Sequence, residues 1–169
     1  LGRNQDLRMS LMEEISRLPS GLRRDLQVEL ALENESIGDL EGAESLYVDV
    51  IGSAPGWLPA TYGLGSLFDR QGRWAELAVL LAEERTHAGI RNLRLTNRLA
   101  ELYEFQLERI DDAAELYRQI LVERPLAPDA VMGLERVYRR QGKFADLVAL
   151  LVEQSECYRG TPSQAFMFY

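Results

Sequence analysis

The sequence predicts an all-α protein built of stacked helix–turn–helix repeats, with no β-sheet. Three observations carry that prediction. RQGRWAELAVLLAEE (Arg70 to Glu84) returns 70 residues later as RQGKFADLVALLVEQ (Arg140 to Gln154). Leu99, Leu102 and Tyr103, and again Leu147, Leu150 and Leu151, fall at i, i+3, i+4, the spacing that gathers apolar side chains on one helix face. No stretch alternates apolar and polar residues with the period of a strand.

The recurrence extends beyond that segment. Trp57–Glu84 and Ala127–Gln154 share 11 identities in 28 positions. LEGAESLYVDVIGSAP (Leu40 to Pro55) matches IDDAAELYRQILVERP (Ile110 to Pro125) at the same offset of 70. Ala43, Leu77, Ala113 and Leu147 hold equivalent places at steps of 34, 36 and 34, a period typical of two-helix repeats. The first helix of each unit is expected over Arg23–Ser36, Leu58–Gln71, Arg91–Gln106 and Ala127–Gln141. The second is expected over Leu40–Ser53, Trp74–Thr86, Ile110–Glu123 and Phe144–Tyr158. Gly38, Gly72 and Gly142 fall between them, where a left-handed residue ends a helix cheaply. Pro19, Pro55 and Pro125 follow second helices, where a helix cannot continue.

RLAELYEFQLERIDDAAELYRQILVERP (Arg98 to Pro125) resembles a tetratricopeptide repeat (TPR). Ala100 stands where that family packs a small residue in its first helix, and Tyr103 supplies the late aromatic. Ala113 and Tyr117 supply the small-then-aromatic pair of the second helix, and Pro125 the closing proline. The resemblance implies helix pairs stacked in a right-handed superhelix, an α-solenoid, whose first helices line a concave face that binds protein or peptide. There are departures. The third unit has an extra residue around Leu107–Arg109 and no glycine there, Leu77 and Leu147 replace an alanine, and Glu135 sits opposite Gly65.

One array is expected over residues 1–169. It comprises a partial unit at 4–19, near-complete pairs at 22–55, 57–90, 91–125 and 126–159, and the start of a further unit at 161–169. Leu7 and Leu11 fall where a second helix would carry its small and aromatic residues, and the chain finishes in apolar AFMFY. Repeats of this kind bury their faces only against neighbours, so the sequence reads as a fragment of a longer bacterial array. The 18 arginines against one lysine, Lys143, fit GC-rich codon usage. A cytoplasmic location is the expectation, with the periplasm left open because a fragment would not show an export signal.

Composition excludes several functions. Apolar residues are 46% of the chain and the net charge is −8, which suits a core-forming domain and disfavours nucleic acid. Apolar runs such as Leu77 to Ala82 are far below the roughly 18 residues of a membrane span. His87 and Cys157 stand alone and 70 residues apart, so neither a nucleophile–base pair nor a transition-metal site is expected. Gly63 and Gly65 lack the third glycine and the preceding strand of a nucleotide loop. No cofactor and no catalysis are expected.

The first-helix positions carried over by phase from the family's concave side are the candidate binding residues. They are Asp25, Val28, Leu32 and Glu35, then Pro59, Tyr62, Ser66 and Asp69. Arg94, Asn97, Glu101 and Glu104 follow in the third unit, and Asp129, Met132, Arg136 and Arg139 in the fourth. Val28 and Leu32 occupy the places of the Lys and Asn that clamp a peptide carboxylate in chaperone-binding relatives, so that mode is not expected. From Asp25 to Asp69 every charge is negative, whereas Arg124 to Lys143 nets +3. The expected function is a non-enzymatic interaction module or scaffold. Two alternatives are a regulatory or assembly segment of a larger enzyme or envelope- or motility-associated protein, and a piece that self-associates head to tail.

Overall fold

A computed structural model describes residues 13–88 and 92–159. After a short helical turn at 13–16 come eight helices. They are α1 (Ser20–Ser36), α2 (Leu40–Ser53), α3 (Leu58–Gln71), α4 (Trp74–Ala88), α5 (Leu93–Phe105), α6 (Ile110–Glu123), α7 (Pro128–Gln141) and α8 (Phe144–Arg159). Among the described residues there is no strand. The chain is all-α, as the periodicity predicts. Helix limits fall within three residues of those expected, with α1 beginning early at Ser20 and α4 running on through Ala88. Leu7, Leu11 and the segment 161–169 lie outside the described residues.

Local chemistry sets the helix ends. Asp39 caps α2 by accepting from the Gly42 amide at 3.1 Å, and Asn92 caps α5 by accepting from the Leu95 amide at 3.3 Å. These side chains satisfy amides that the first turn leaves without partners. Pro59 and Pro128 stand in the first turns of α3 and α7, where a missing N–H costs nothing. Gly72 and Gly142 close α3 and α7 at φ 68° and 65°.

Two compact units divide between Arg73 and Trp74. In the first, α2 packs on α1 and α3, and α1 also meets α3. Its core holds Ala31, Ala43, Leu46, Tyr47, Val50, Ala60, Leu64 and Leu67. In the second, each helix from α4 to α8 packs on the next, and α5 also meets α7. Leu99, Ala100, Leu102, Ala113, Leu116, Tyr117, Ala130 and Val137 form its centre. Ala43, Ala60, Ala100, Ala113 and Ala130 are fully buried, because a methyl-sized side chain lets two helix axes approach.

The extra residue of the third unit has a visible consequence. Between α5 and α6 the chain turns left-handed at Glu108, φ 52°, the one non-glycine residue with positive φ among the described residues. The Arg109 amide donates to the Tyr103 carbonyl at 2.8 Å and the Leu107 amide to the Leu102 carbonyl at 3.1 Å, closing the turn. An L-residue in that conformation costs about 1 kcal/mol. Glu108→Gly removes that cost against a smaller entropic penalty in the unfolded chain. A net gain of up to about 1 kcal/mol is expected in denaturant melts, and Glu108→Val should lose stability in the same assay.

Candidate partner-binding faces

A buried tyrosine of each unit organises the first-helix faces. Tyr47 on α2 and Tyr117 on α6 are fully buried. Each ring lies against a glycine of the following helix. A Cβ on Gly63 would meet the Tyr47 ring at 2.4 Å, and one on Gly133 would meet the Tyr117 ring at 2.3 Å. Each hydroxyl donates to a carboxylate on the preceding helix: Tyr47 to Glu35 Oε1 at 2.7 Å, Tyr117 to Glu104 Oε2 at 2.8 Å. An arginine from the following helix then closes on the same carboxylate. Arg70 holds Glu35. Arg136 holds Glu104 with two parallel bonds, Nε to Oε1 and Nη2 to Oε2, both 3.0 Å. Arg140 adds a bond to the Glu104 carbonyl at 3.3 Å.

The electrostatics follow from that geometry. Glu104 is 1% exposed, and burying a carboxylate is costly unless it is paired and hydrogen-bonded. Its tyrosine and arginine supply both conditions. Burial, and then the bond to Glu104, push the Tyr117 hydroxyl well above its ordinary pKa. Tyr47 is raised for the same reasons, through Glu35. The bond to Glu104 raises Arg136 as well. The two tyrosines therefore stay protonated donors across the physiological range.

The candidate residues divide accordingly. On α1, Asp25 is exposed, Val28 half-buried and Leu32 54% exposed. Tyr62 on α3 is 65% exposed, beside exposed Ser66 and Asp69. The Glu35–Arg70 bond ties these two faces together. In the second unit Arg94 is exposed, and the Asn97 side-chain amide donates to Glu101 Oε1 at 2.8 Å. Asp129 and Met132 are exposed, and Arg139 pairs with Glu135. Glu104, expected to face a groove, is buried instead and belongs to the core. Arg136 is 44% exposed, but its guanidinium is committed to Glu104 and lies 5.1 Å over the Phe105 ring, so it shapes the face and offers no free cation. The positive run Arg124–Lys143 is largely answered internally, since Lys143 also reaches Asp111 at 3.5 Å. His87 is exposed at the end of α4, and Cys157 is a free, half-buried thiol. Among the described residues no carboxylate, His or Cys cluster could hold a metal ion, and no helix is long and apolar enough to cross a membrane.

No protein-family model and no curated protein matches the sequence. Solved structures do resemble the fold. MamA of AMB-1 superposes with a TM-score of 0.61 at 17% identity, covering 86% of this chain and 79% of that one. MamA residues 41-end from Desulfovibrio magneticus RS-1 gives 0.57 at 14% identity, over 82% of this chain and 77% of that one. A tetratricopeptide repeat protein from Parabacteroides merdae ATCC 43184 gives 0.61 at 18% identity, over 82% of this chain and 55% of that one. The fold is that of a tetratricopeptide-repeat protein. At such identities the likeness concerns the fold alone.

Within this TPR fold, the glutamates are the residues that repeat matching overlooked as structural. Tyr47/Tyr117 and Gly63/Gly133 sit 70 apart, but Glu35 and Glu104 sit 69 apart, and the arginines that hold them, Arg70 and Arg136, sit 66 apart. The extra residue of the α5–α6 turn displaces Glu104 from the register. Gly63, which falls short of a nucleotide loop, and Gly133 are the seats of the tyrosine rings. Gly133→Ala should cost about 1–3 kcal/mol by overpacking, read as a lowered melting temperature with helicity retained below it.

The tyrosines also predict a pH dependence. A pKa raised in the folded state means that the unfolded chain releases its proton first. Their contribution is therefore complete below about pH 10, the ordinary tyrosine value, and declines as pH rises beyond it. Urea midpoints should fall through that alkaline window. The Tyr47→Phe/Tyr117→Phe double variant should show a flatter profile there, with lower stability at neutral pH.

Proposed function

We propose that this chain is a non-enzymatic interaction module that binds a protein or peptide through its first-helix faces. The observation that carries this reading is the exposure of Leu32 and Tyr62 on two helices that meet. Both are large, apolar and more than half exposed, on helices joined by the Glu35–Arg70 bond. Asp25, Glu29 and Glu33 stand exposed on α1 around them. An apolar seat bordered by charge is how interaction surfaces combine affinity with orientation, and tyrosine is a frequent anchor. The TPR fold supports the reading, since stacked helix pairs create extended binding surfaces. Met132, also exposed, and Phe105 offer a comparable seat in the second unit.

The test is affinity capture from the lysate of the source organism, with wild type and Leu32→Ala/Tyr62→Ala as parallel baits. Neither side chain is in the core, so far-ultraviolet circular dichroism should be unchanged. At least one protein retained by wild type should drop by about tenfold or more on the variant, the loss of roughly 1.4 kcal/mol. Identical retention by both baits would remove the α1–α3 face from consideration.

A further inference from the structure

The first unit carries a second feature, away from Leu32 and Tyr62. A cavity of about 470 Å³ opens among Ser16, Ser20, Arg23, Arg24, Asp49 and Ser53. At 3.6 residues per turn, Arg23 lies about 140° and 180° around α1 from Val28 and Leu32, whereas Arg24 shares the Val28 side.

The donors here are unusual. Three other arginines of this unit are held by carboxylates: Arg17 by Glu13, Arg70 by Glu35 and Arg73 by Glu44. Arg23 and Arg24 have no such pair among the described residues. Arg23 Nη2 donates to the Leu18 carbonyl at 2.9 Å, and the Arg24 guanidinium lies 4.7 Å over the Trp57 ring. The Nε of Arg23, the Nε of Arg24 and the indole Nε1 of Trp57 are all buried and meet no acceptor among the described residues. All three are donors. Native proteins leave few buried polar atoms unanswered, and two guanidinium groups lining one cavity without a carboxylate partner suit an oxyanion. Asp49 lines the same cavity yet pairs with neither arginine.

We propose that this cavity receives the side-chain carboxylate of an aspartate or glutamate on a peptide partner whose flanking residues are basic. Guanidinium forks take carboxylates with two parallel bonds, and Ser20 lines the cavity with a further hydroxyl. The surroundings select the rest of the ligand. Asp25, Glu29, Glu33 and Glu41 are exposed on the same unit, so a polyanion is repelled while lysines beside the anchoring carboxylate are attracted. This inference rests on the reading of the chain as a peptide-binding module and adds the chemistry of the partner.

The test uses the full chain, labelled with ¹⁵N, and two blocked peptides: one glutamate flanked by lysines, and the same peptide with glutamine in its place. Inorganic phosphate is the third probe. The glutamate peptide should saturably shift the Nε signals of Arg23 and Arg24 and the Trp57 indole signal, and should bind about tenfold or more tighter than the glutamine peptide. Arg23→Gln/Arg24→Gln should abolish that preference. Asp49→Asn, which removes the one like charge in the cavity, should strengthen glutamate-peptide binding, an effect that a merely structural arginine pair would not produce. Equal affinity for the two peptides, a preference that survives in the double variant, or shifts produced by phosphate alone would each overturn the proposal. Loss of a captured protein in Leu32→Ala/Tyr62→Ala without any glutamate preference overturns the pocket and leaves the α1–α3 face standing.

Discussion

A tyrosine ring laid on a bare glycine backbone is the contact on which the rest of each unit depends. It requires a glycine on one helix, because any Cβ would enter the ring. It requires alanines nearby, because the ring reaches the glycine only if the helices run close. It brings a hydroxyl to a depth where a lone polar group is costly, and so it requires Glu35 or Glu104 within bonding distance. The buried carboxylate in turn requires an arginine from the next helix. One apolar contact thus dictates four residue identities on three helices.

The same chain of requirements separates scaffold from surface. Once Arg136 is seen to hold Glu104, its exposed edge no longer reads as a recognition element. Leu32 and Tyr62 carry no such duty: each is more than half exposed and neither belongs to the core. Arg23 and Arg24 are the reverse of Arg136, cations for which the described residues provide no carboxylate.

Much of this was legible in the sequence. The spacing of leucines and alanines gives the helices, and Gly72, Gly142, Pro55 and Pro125 mark their ends within a few residues. Glu104 was not legible as a core residue. Phase alone places it on the same side as Glu101, and only its tyrosine and arginine partners make burial affordable. Phase also cannot separate a committed guanidinium from a free one, because Arg136 and Arg139 occupy neighbouring turns of one helix face. The cavity beside Arg23 was invisible for a different reason. It is assembled from the end of the 13–16 helical turn, the start of α1 and the end of α2, and no local pattern records that meeting.

The clamp at Glu104 also has a direction. Its carboxylate is on α5, its tyrosine on α6, and its glycine seat and arginine on α7. Synthesis delivers these in that order, N-terminus first. While α7 is still within the ribosome, the α5–α6 hairpin holds a tyrosine without its seat and a carboxylate without its counterion. The hairpin becomes a settled piece of structure only when Gly133 and Arg136 emerge, so folding of this unit on the ribosome trails translation by one helix.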